Sequence, residues 1–143
     1  MKPNILFLFA DQHRHDILGC AGHPLVQTPN IDAIASEGVH FTKTWCQSPI
    51  CQPSRASVIT GRYAHEIGVT HNTGGFDPEW PTVMKQLQVA GYDTATIGKT
   101  HYHESYQPPK ADGEIDMRSK EGFVKSFGWD YVLEEYDKYL HAA

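Results

Sequence analysis

The sequence predicts an α/β protein with a mostly parallel sheet that carries helices on both faces. Residues 4–10 form a continuous apolar run, Asn-Ile-Leu-Phe-Leu-Phe-Ala, which is typical of a central strand covered on both sides. Residues 81–91 then follow a helix pattern, and residues 92–97 follow a strand pattern. Because strand, helix and strand alternate along the chain, crossover helices and parallel pairing are expected.

Composition excludes several classes of function. The chain has 143 residues, of which 40% are hydrophobic, and it can therefore form a core of its own. The net charge of −5 argues against a nucleic-acid partner. The apolar run at the N-terminus is too short to cross a bilayer, and Asp11 interrupts it without a small-residue cleavage site. We therefore expect no membrane partner and a cytoplasmic location, with the periplasm as the less favoured alternative.

The remaining segments carry helix, strand or loop patterns in order along the chain. Thr28-Pro29-Asn30 begins a short helix that Gly38 ends. The other segments are an alternating strand over 39–46, a helix from Pro81 to Gly91, a strand over 92–97, a proline-rich charged loop over 106–121 and an edge strand within 123–136.

The segment from Ser48 to Gly61 combines a cysteine and an arginine with the signals of a short helix. Pro53 suits the first helical position, and Gly61 can end the helix in a left-handed conformation. Cys51 should then lie at the helix N-terminus, with Arg55 one turn further on. Backbone N–H groups and the helix dipole attract an anion to such a place, which indicates chemistry on a sulfate or phosphate ester.

Spacing alone leaves other interpretations of Cys51 open. A free cysteine is commonly a small buried hydrophobe. A helix N-terminus can also lower the pKa of a cysteine thiol, as in cysteine-dependent phosphatases. Those enzymes usually have a Cys-x5-Arg loop, whereas three residues separate Cys51 from Arg55 here.

Residues 51–62, Cys-Gln-Pro-Ser-Arg-Ala-Ser-Val-Ile-Thr-Gly-Arg, resemble the signature of the type I sulfatases of the alkaline phosphatase-like superfamily. In that family a separate formylglycine-generating enzyme oxidises the signature cysteine, and the hydrated aldehyde is the nucleophile. The resemblance implies that Cys51 and Arg55 are catalytic. It covers about residues 3–102, and it implies that residues 1–143 are the N-terminal part of a sulfatase catalytic domain whose C-terminal part is absent.

Asp11 and Gln12 follow the first predicted strand directly. The carboxyl ends of parallel strands commonly hold ligands, and carboxylate and amide oxygens suit a hard divalent cation. On the residues alone, Asp11 could equally cap a turn and Gln12 could be solvated. The resemblance implies that Asp11, Gln12 and oxidised Cys51 bind a metal ion, Ca²⁺ in the first instance, with Mg²⁺ or Mn²⁺ as alternatives.

Gly-Lys-Thr-His at 98–101 follows the predicted strand 92–97 and is similar to the Gly-Lys-x-His motif of the same family. A lysine supplies a point charge to an anion, and a histidine exchanges a proton near neutral pH. The resemblance implies that Lys99 and His101 act in catalysis and bind substrate, with His101 as the base. It also implies that Asn72 contacts substrate. An exposed lysine, a turn histidine and an ordinary turn asparagine are the alternatives.

The resemblance implies a sulfuric ester hydrolase that cleaves the sulfate monoester of a small molecule or a carbohydrate. One alternative is a phosphonate monoester or phosphodiester hydrolase of the same superfamily. Another is a non-catalytic fragment in which His101 and His103 hold a transition metal such as zinc. Because the family's other metal ligands lie in later parts of its sequences, the isolated chain is expected to bind metal weakly and to turn over poorly.

Overall fold

A computed structural model describes residues 2–73, 76–103 and 118–134, with the backbone alone for residues 118–120. The chain divides into two compact units, Met1–Trp45 and Cys46–Ala143, which are described in turn. Within the described ranges, no helix has both the length and the hydropathy needed to cross a membrane.

The first unit contains two 3-10 turns, His15–Ile17 and Gly19–Ala21, followed by helix α1, Pro29–Glu37. Helix α1 has the bounds that the sequence predicted, because Pro29 occupies its first position and Gly38 follows its last. The Asp32 carboxylate fastens α1 to the second turn.

Two hydrogen bonds fix this carboxylate. The Thr28 hydroxyl and the Cys20 backbone N–H donate to Asp32 Oδ1 at 2.8 and 2.7 Å. The bond from Thr28, together with the bonds from Cys20, holds the pKa of Asp32 below its ordinary value. The turn and the helix are therefore joined by polar contacts rather than by a buried apolar core.

The strands predicted over residues 4–10 and 39–46 are both wrong, since neither segment is a strand in the structure. Side chains 5–9 are between 44% and 82% exposed. A buried parallel strand needs hydrogen-bonded neighbours and a covering layer on each face. In the ranges that the structure describes, the sheet has two strands, and both belong to the second unit. The apolar pattern alone is not sufficient for a strand when its partners are missing.

Among the residues described in the second unit, the structure has three helices and a parallel two-stranded sheet. The elements in chain order are α2 (Cys51–Thr60), α3 (Val83–Val89), β1 (Ala95–Ile97), α4 (Arg118–Lys125) and β2 (Tyr131–Leu133). Strands β1 and β2 pair in parallel, with Ala95 opposite Tyr131 and Ile97 opposite Leu133. The predicted α/β class and the parallel pairing are confirmed.

Several elements of the second unit have bounds that differ from those predicted. Helix α3 begins after Thr82 rather than at Pro81, because the Thr82 hydroxyl caps it by accepting from the Lys85 N–H at 3.2 Å. The strand predicted over 92–97 is confirmed but shorter. The strand predicted within 123–136 is present as β2, but it begins only at Tyr131, and residues up to Lys125 are helical. Of the loop predicted over 106–121, residues 106–117 lie outside the described residues. Residues 118–121 are helical, so the prediction is wrong for that part.

The core of the second unit is a group of aromatic rings with aliphatic residues around them. The ring centroids of Phe76 and Tyr102 lie 4.5 and 5.0 Å from that of Phe127. The rings are tilted against it by 43° and 56°, as aromatic pairs prefer over face-to-face stacking. Burial raises the pKa of Tyr102 to about 12. Helix α2 contributes Ala56 and Ile59 to the same core. This shared core fixes α2 relative to the segment that carries Tyr102.

Candidate active site

Helix α2 begins at Cys51, so Pro53 is its third residue rather than its first. The missing N–H of Pro53 still falls among the helix-terminal N–H groups that have no partner within the helix. Gly61 ends the helix at φ 67°, as the sequence predicted. Cys51 is a free thiol and partly exposed, whereas the next residue, Gln52, is fully buried. The structure therefore places the Cys51 side chain at the N-terminus of α2, within reach of solvent.

Asn72 lies at the same end of α2. The Gln52 backbone N–H, one of the helix-terminal donors, donates to Asn72 Oδ1 at 2.9 Å. Asn72 therefore acts as a helix cap supplied from 20 residues further along the chain. The sequence predicted that Asn72 contacts substrate, and the structure brings it to the helix end where Cys51 lies.

Substitution of Asn72 should separate its structural role from its role toward an anion. Asn72→Ala should lower the free energy of unfolding by about 1 kcal/mol, since it removes the cap. Asn72→Asp keeps an acceptor, and its charge stabilises a helix N-terminus by about 0.3–1 kcal/mol, but it repels sulfate. We expect Asn72→Asp to unfold no earlier than the wild type while it binds inorganic sulfate more weakly. Thermal unfolding and the dissociation constant for sulfate check this, with Asn30→Asp as the control for net charge.

Arg55 joins α2 to the segment 99–103. Its side chain is buried, with 7% exposed, and its Nη1 donates to the backbone carbonyl of Lys99. A second bond joins the same elements, because the Gln52 side-chain Nε2 donates to the carbonyl of His103 at 3.2 Å. These contacts join α2, which carries Cys51 and Arg55, to the backbone of the segment that carries Lys99 and His101.

His101 is buried and has a strained backbone. Its φ is 57°, a left-handed conformation that costs a residue with a Cβ about 1–2 kcal/mol. Such strain persists only where the surroundings impose it, and it is frequent at functional sites. Here the His101 N–H donates to the Glu134 carboxylate at 3.4 Å. The fourth predicted catalytic residue therefore lies in the same segment as Lys99, in an imposed conformation.

Glu134 is a residue that the sequence analysis missed. It directly follows β2, only 8% of it is exposed, and His103 Nε2 lies 3.2 Å from its Oε2. Burial by itself raises the pKa of this carboxyl. The hydrogen bonds from His103 and Thr100 and the charge of His103 lower it by more, so that its pKa lies below the ordinary value. Parallel pairing of β1 and β2 was the signal that could have placed residue 134 beside residues 99–101.

Asp11 and Gln12, the other predicted metal ligands, lie in the first unit and are exposed. Gln12 has a φ of 47°, which is unusual for a residue with a side chain. Nearby, Arg14 Nε donates to Asp16 Oδ1 at 2.9 Å. Across the described parts of the chain, no three or more His, Cys, Asp or Glu side chains form a group that could hold a metal ion. The assignment of Asp11, Gln12 and Cys51 to a metal stays a prediction.

The fold is that of an α/β protein in which a partly exposed cysteine begins a helix and a buried arginine of that helix bonds the backbone of Lys99; such a helix N-terminus suits an anion. A family model described as Sulfatase matches residues 3–141. The chain belongs to the sulfatase family, whose members generally use a formylglycine and a divalent metal ion.

The relatives and solved structures that resemble the chain are much longer. It is 44% identical over 100 residues to an N-acetylglucosamine-6-O-sulfatase of Bacteroides thetaiotaomicron, covering 70% of this chain and 18% of the relative. A protein solved with its substrate, D-glucosamine-2-N,6-O-disulfate, is similar at a TM-score of 0.70 and 30% identity, covering 94% of this chain and 34% of that one. The phosphonate monoester hydrolase of Agrobacterium radiobacter is similar at a TM-score of 0.67 and 27% identity, covering 90% of this chain and 25% of that one. The chain thus spans between about a fifth and a third of these proteins.

Proposed function

We propose that the protein carrying this chain hydrolyses sulfate monoesters at the N-terminus of α2. The observation that carries the proposal is the pair of contacts that fasten this helix end: Gln52 N–H to Asn72, and the Arg55 guanidinium to the backbone of Lys99. Together they join the helix that carries Cys51 and Arg55 to Asn72 and to the backbone of Lys99, which supports a shared site. Membership of the sulfatase family supports the same reaction.

The charges of the site suit a sulfuryl group. Arg55 and Lys99 each carry a positive charge, and the helix end adds its dipole and backbone N–H groups. Such fixed charges stabilise negative charge that builds up on the sulfuryl oxygens during transfer. His101 is the candidate for moving the proton, since an imidazole works near neutral pH. We assign the catalytic roles to Cys51, Arg55, Lys99 and His101, and substrate contacts to Asn72, Lys99 and His101.

Residue 51 requires oxidation to formylglycine in this proposal, and a separate formylglycine-generating enzyme is the partner that would supply it. Partial exposure of Cys51 at a helix end agrees with its use in chemistry rather than in a core.

The donor chemistry of Asp11 and Gln12 fits a hard divalent cation, because both offer oxygen atoms. We propose Ca²⁺, with Mg²⁺ or Mn²⁺ as alternatives, held by Asp11, Gln12 and the oxygen of modified residue 51. When bound, such an ion lowers the pKa of a hydroxyl and polarises a bound oxygen. Ca²⁺ takes about six to eight oxygens, so ligands from outside this set must complete the site.

We propose a sulfated carbohydrate as the substrate. The relative from Bacteroides thetaiotaomicron is named for sulfate removal from N-acetylglucosamine, and a similar structure was solved with a sulfated glucosamine.

Mass spectrometry and a substrate panel on the protein from its native source test the proposal. We expect an aldehyde at residue 51, detectable by aminooxy labelling, while exposed Cys46 stays a thiol and serves as the internal control. We expect hydrolysis of 4-nitrocatechol sulfate and glucosamine 6-sulfate. A thiol at residue 51 together with no release of sulfate would contradict the proposal.

A phosphonate monoester hydrolase is the second candidate, because one solved enzyme of that activity shares the fold at 27% identity. The same panel separates the two when phenyl phosphonate monoesters and bis(4-nitrophenyl) phosphate are included. A higher kcat/KM for either phosphorus ester than for the sulfates would favour the second candidate.

A further inference from the structure

We propose that Glu134 is a positioning residue of this site: its carboxylate holds the segment 99–103 in the shape that presents Lys99 and His101. The inference rests on the proposed function, which it deepens by adding a residue outside the recognised motifs. Glu134 is separated from that segment by more than 30 residues of sequence.

The geometry that carries the inference is a set of hydrogen bonds from one short segment to one carboxylate. Glu134 Oε1 accepts from the backbone N–H groups of Thr100 and His101 at 3.3 and 3.4 Å, and also from the Thr100 hydroxyl. Glu134 Oε2 lies 3.2 Å from His103 Nε2. Both carboxylate oxygens are therefore engaged, and these partners all lie within residues 100–103.

The pairing of β1 with β2 positions Glu134 beside residues 100–103. The Gly98 N–H donates to the Leu133 carbonyl at 2.8 Å, which extends the parallel pairing of β1 and β2 by one step. Glu134 is the next residue, so its side chain meets the segment just as the chain leaves β1. The carboxylate thus acts where the chain turns away from the sheet.

The strain at His101 shows what the carboxylate holds in place. A left-handed backbone at a residue with a side chain persists only under constraint, and the His101 N–H is one of the groups that Glu134 accepts from. Glu134 itself is buried, and a carboxylate in contact with a sulfate would repel it. Its effect on catalysis is therefore exerted through Lys99 and His101 rather than by contact with substrate.

The test uses full-length protein with the aldehyde content at residue 51 measured, 4-nitrocatechol sulfate as substrate, and Glu134→Gln as the main variant. Glutamine keeps the size of the side chain but offers one acceptor oxygen in place of two. A displacement of about 1 Å can cost about 100-fold in rate, and we expect kcat to fall about 10- to 100-fold with a much smaller change in KM. Glu134→Asp, which restores the charge, should lie between Glu134→Gln and the wild type. Glu79→Gln, at an exposed glutamate in the same unit, is the matched control.

Hydrogen exchange of residues 99–103 gives a readout that does not depend on turnover. We expect these amides to exchange faster in Glu134→Gln than in Glu79→Gln. If Glu134→Gln does not fold, Thr100→Val removes one of the same bonds and should show the same changes at smaller size. Rates and exchange equal to those of Glu79→Gln would overturn the inference. If these amides exchange faster in Glu134→Gln but the wild-type protein cleaves no sulfate ester, the proposed function is contradicted while the positioning role stays supported.

Discussion

Cys51→Ala is expected to abolish sulfate ester hydrolysis, with a loss of at least about 10⁴-fold in kcat/KM. Alanine cannot be converted to an aldehyde, so the N-terminus of α2 keeps its positive field but has no nucleophile. Loss of a covalent nucleophile in another hydrolase costs about 10⁶-fold, which sets the scale. The measurement is kcat/KM for 4-nitrocatechol sulfate in the full-length protein, with enzyme concentration determined by active-site-independent methods.

Cys46→Ala is the matched control, because Cys46 is an exposed thiol close by in the same unit. It should retain the wild-type rate. Since Cys51 is only partly buried, Cys51→Ala should change the free energy of unfolding by less than about 1 kcal/mol. A Cys51→Ala protein that is folded and still turns over at the wild-type rate would remove residue 51 from the mechanism.

Arg55→Lys is expected to lower kcat/KM by about 10²- to 10³-fold, the size of effect seen when one fixed donor to a developing anion is lost. Lysine keeps the charge but lacks the planar guanidinium, which holds a carbonyl and an anion at fixed angles. Arg55 donates to the Lys99 carbonyl from a buried position, so the shorter, differently shaped ammonium should also loosen the segment 99–103. Steady-state kinetics and thermal unfolding measure the two effects separately.

Arg62→Lys is the control for this substitution. Arg62 is exposed just beyond the end of α2, and its guanidinium lies 5.2 Å from the centre of the Trp80 ring. A lysine there keeps a cation near the ring, so rate and stability should stay near the wild type. Equal kinetics for Arg55→Lys and Arg62→Lys would show that the guanidinium of Arg55 is not needed for turnover.

Local signals in the sequence were sufficient for α1, α2 and α3, but not for α4, whose residues were predicted as a loop and a strand. Proline and glycine at the ends of α1, and Gly61 after α2, mark boundaries through backbone conformation, which neighbouring residues decide. The roles of Cys51, Arg55, Lys99 and His101 were predicted from the resemblance of two short motifs to a known family. The structure then adds what spacing alone does not contain, namely that Arg55 reaches the backbone of Lys99 across 44 residues.

The strands were harder to predict than the helices, because a strand depends on partners that are distant in the sequence. The apolar run at residues 4–10 indicates burial, but whether it becomes a strand depends on neighbours that local pattern does not specify. Residues 123–125 carry Phe-Val-Lys, which suits a strand or a helix, and packing of Val124 into the core decided for the helix. Glu134 escaped notice because a single glutamate after a strand has no motif, and its partners become visible only when β1 and β2 are paired.

The contacts that join α2 to the segment 99–103 end on backbone carbonyls, those of Lys99 and His103. Every amino acid carries such a carbonyl, so the side chains at positions 99 and 103 can change without removing either contact. The attachment of α2 therefore does not constrain which side chains stand at these two positions. A protein with such contacts can change the side chains beside α2 while the helix stays fixed to the same backbone.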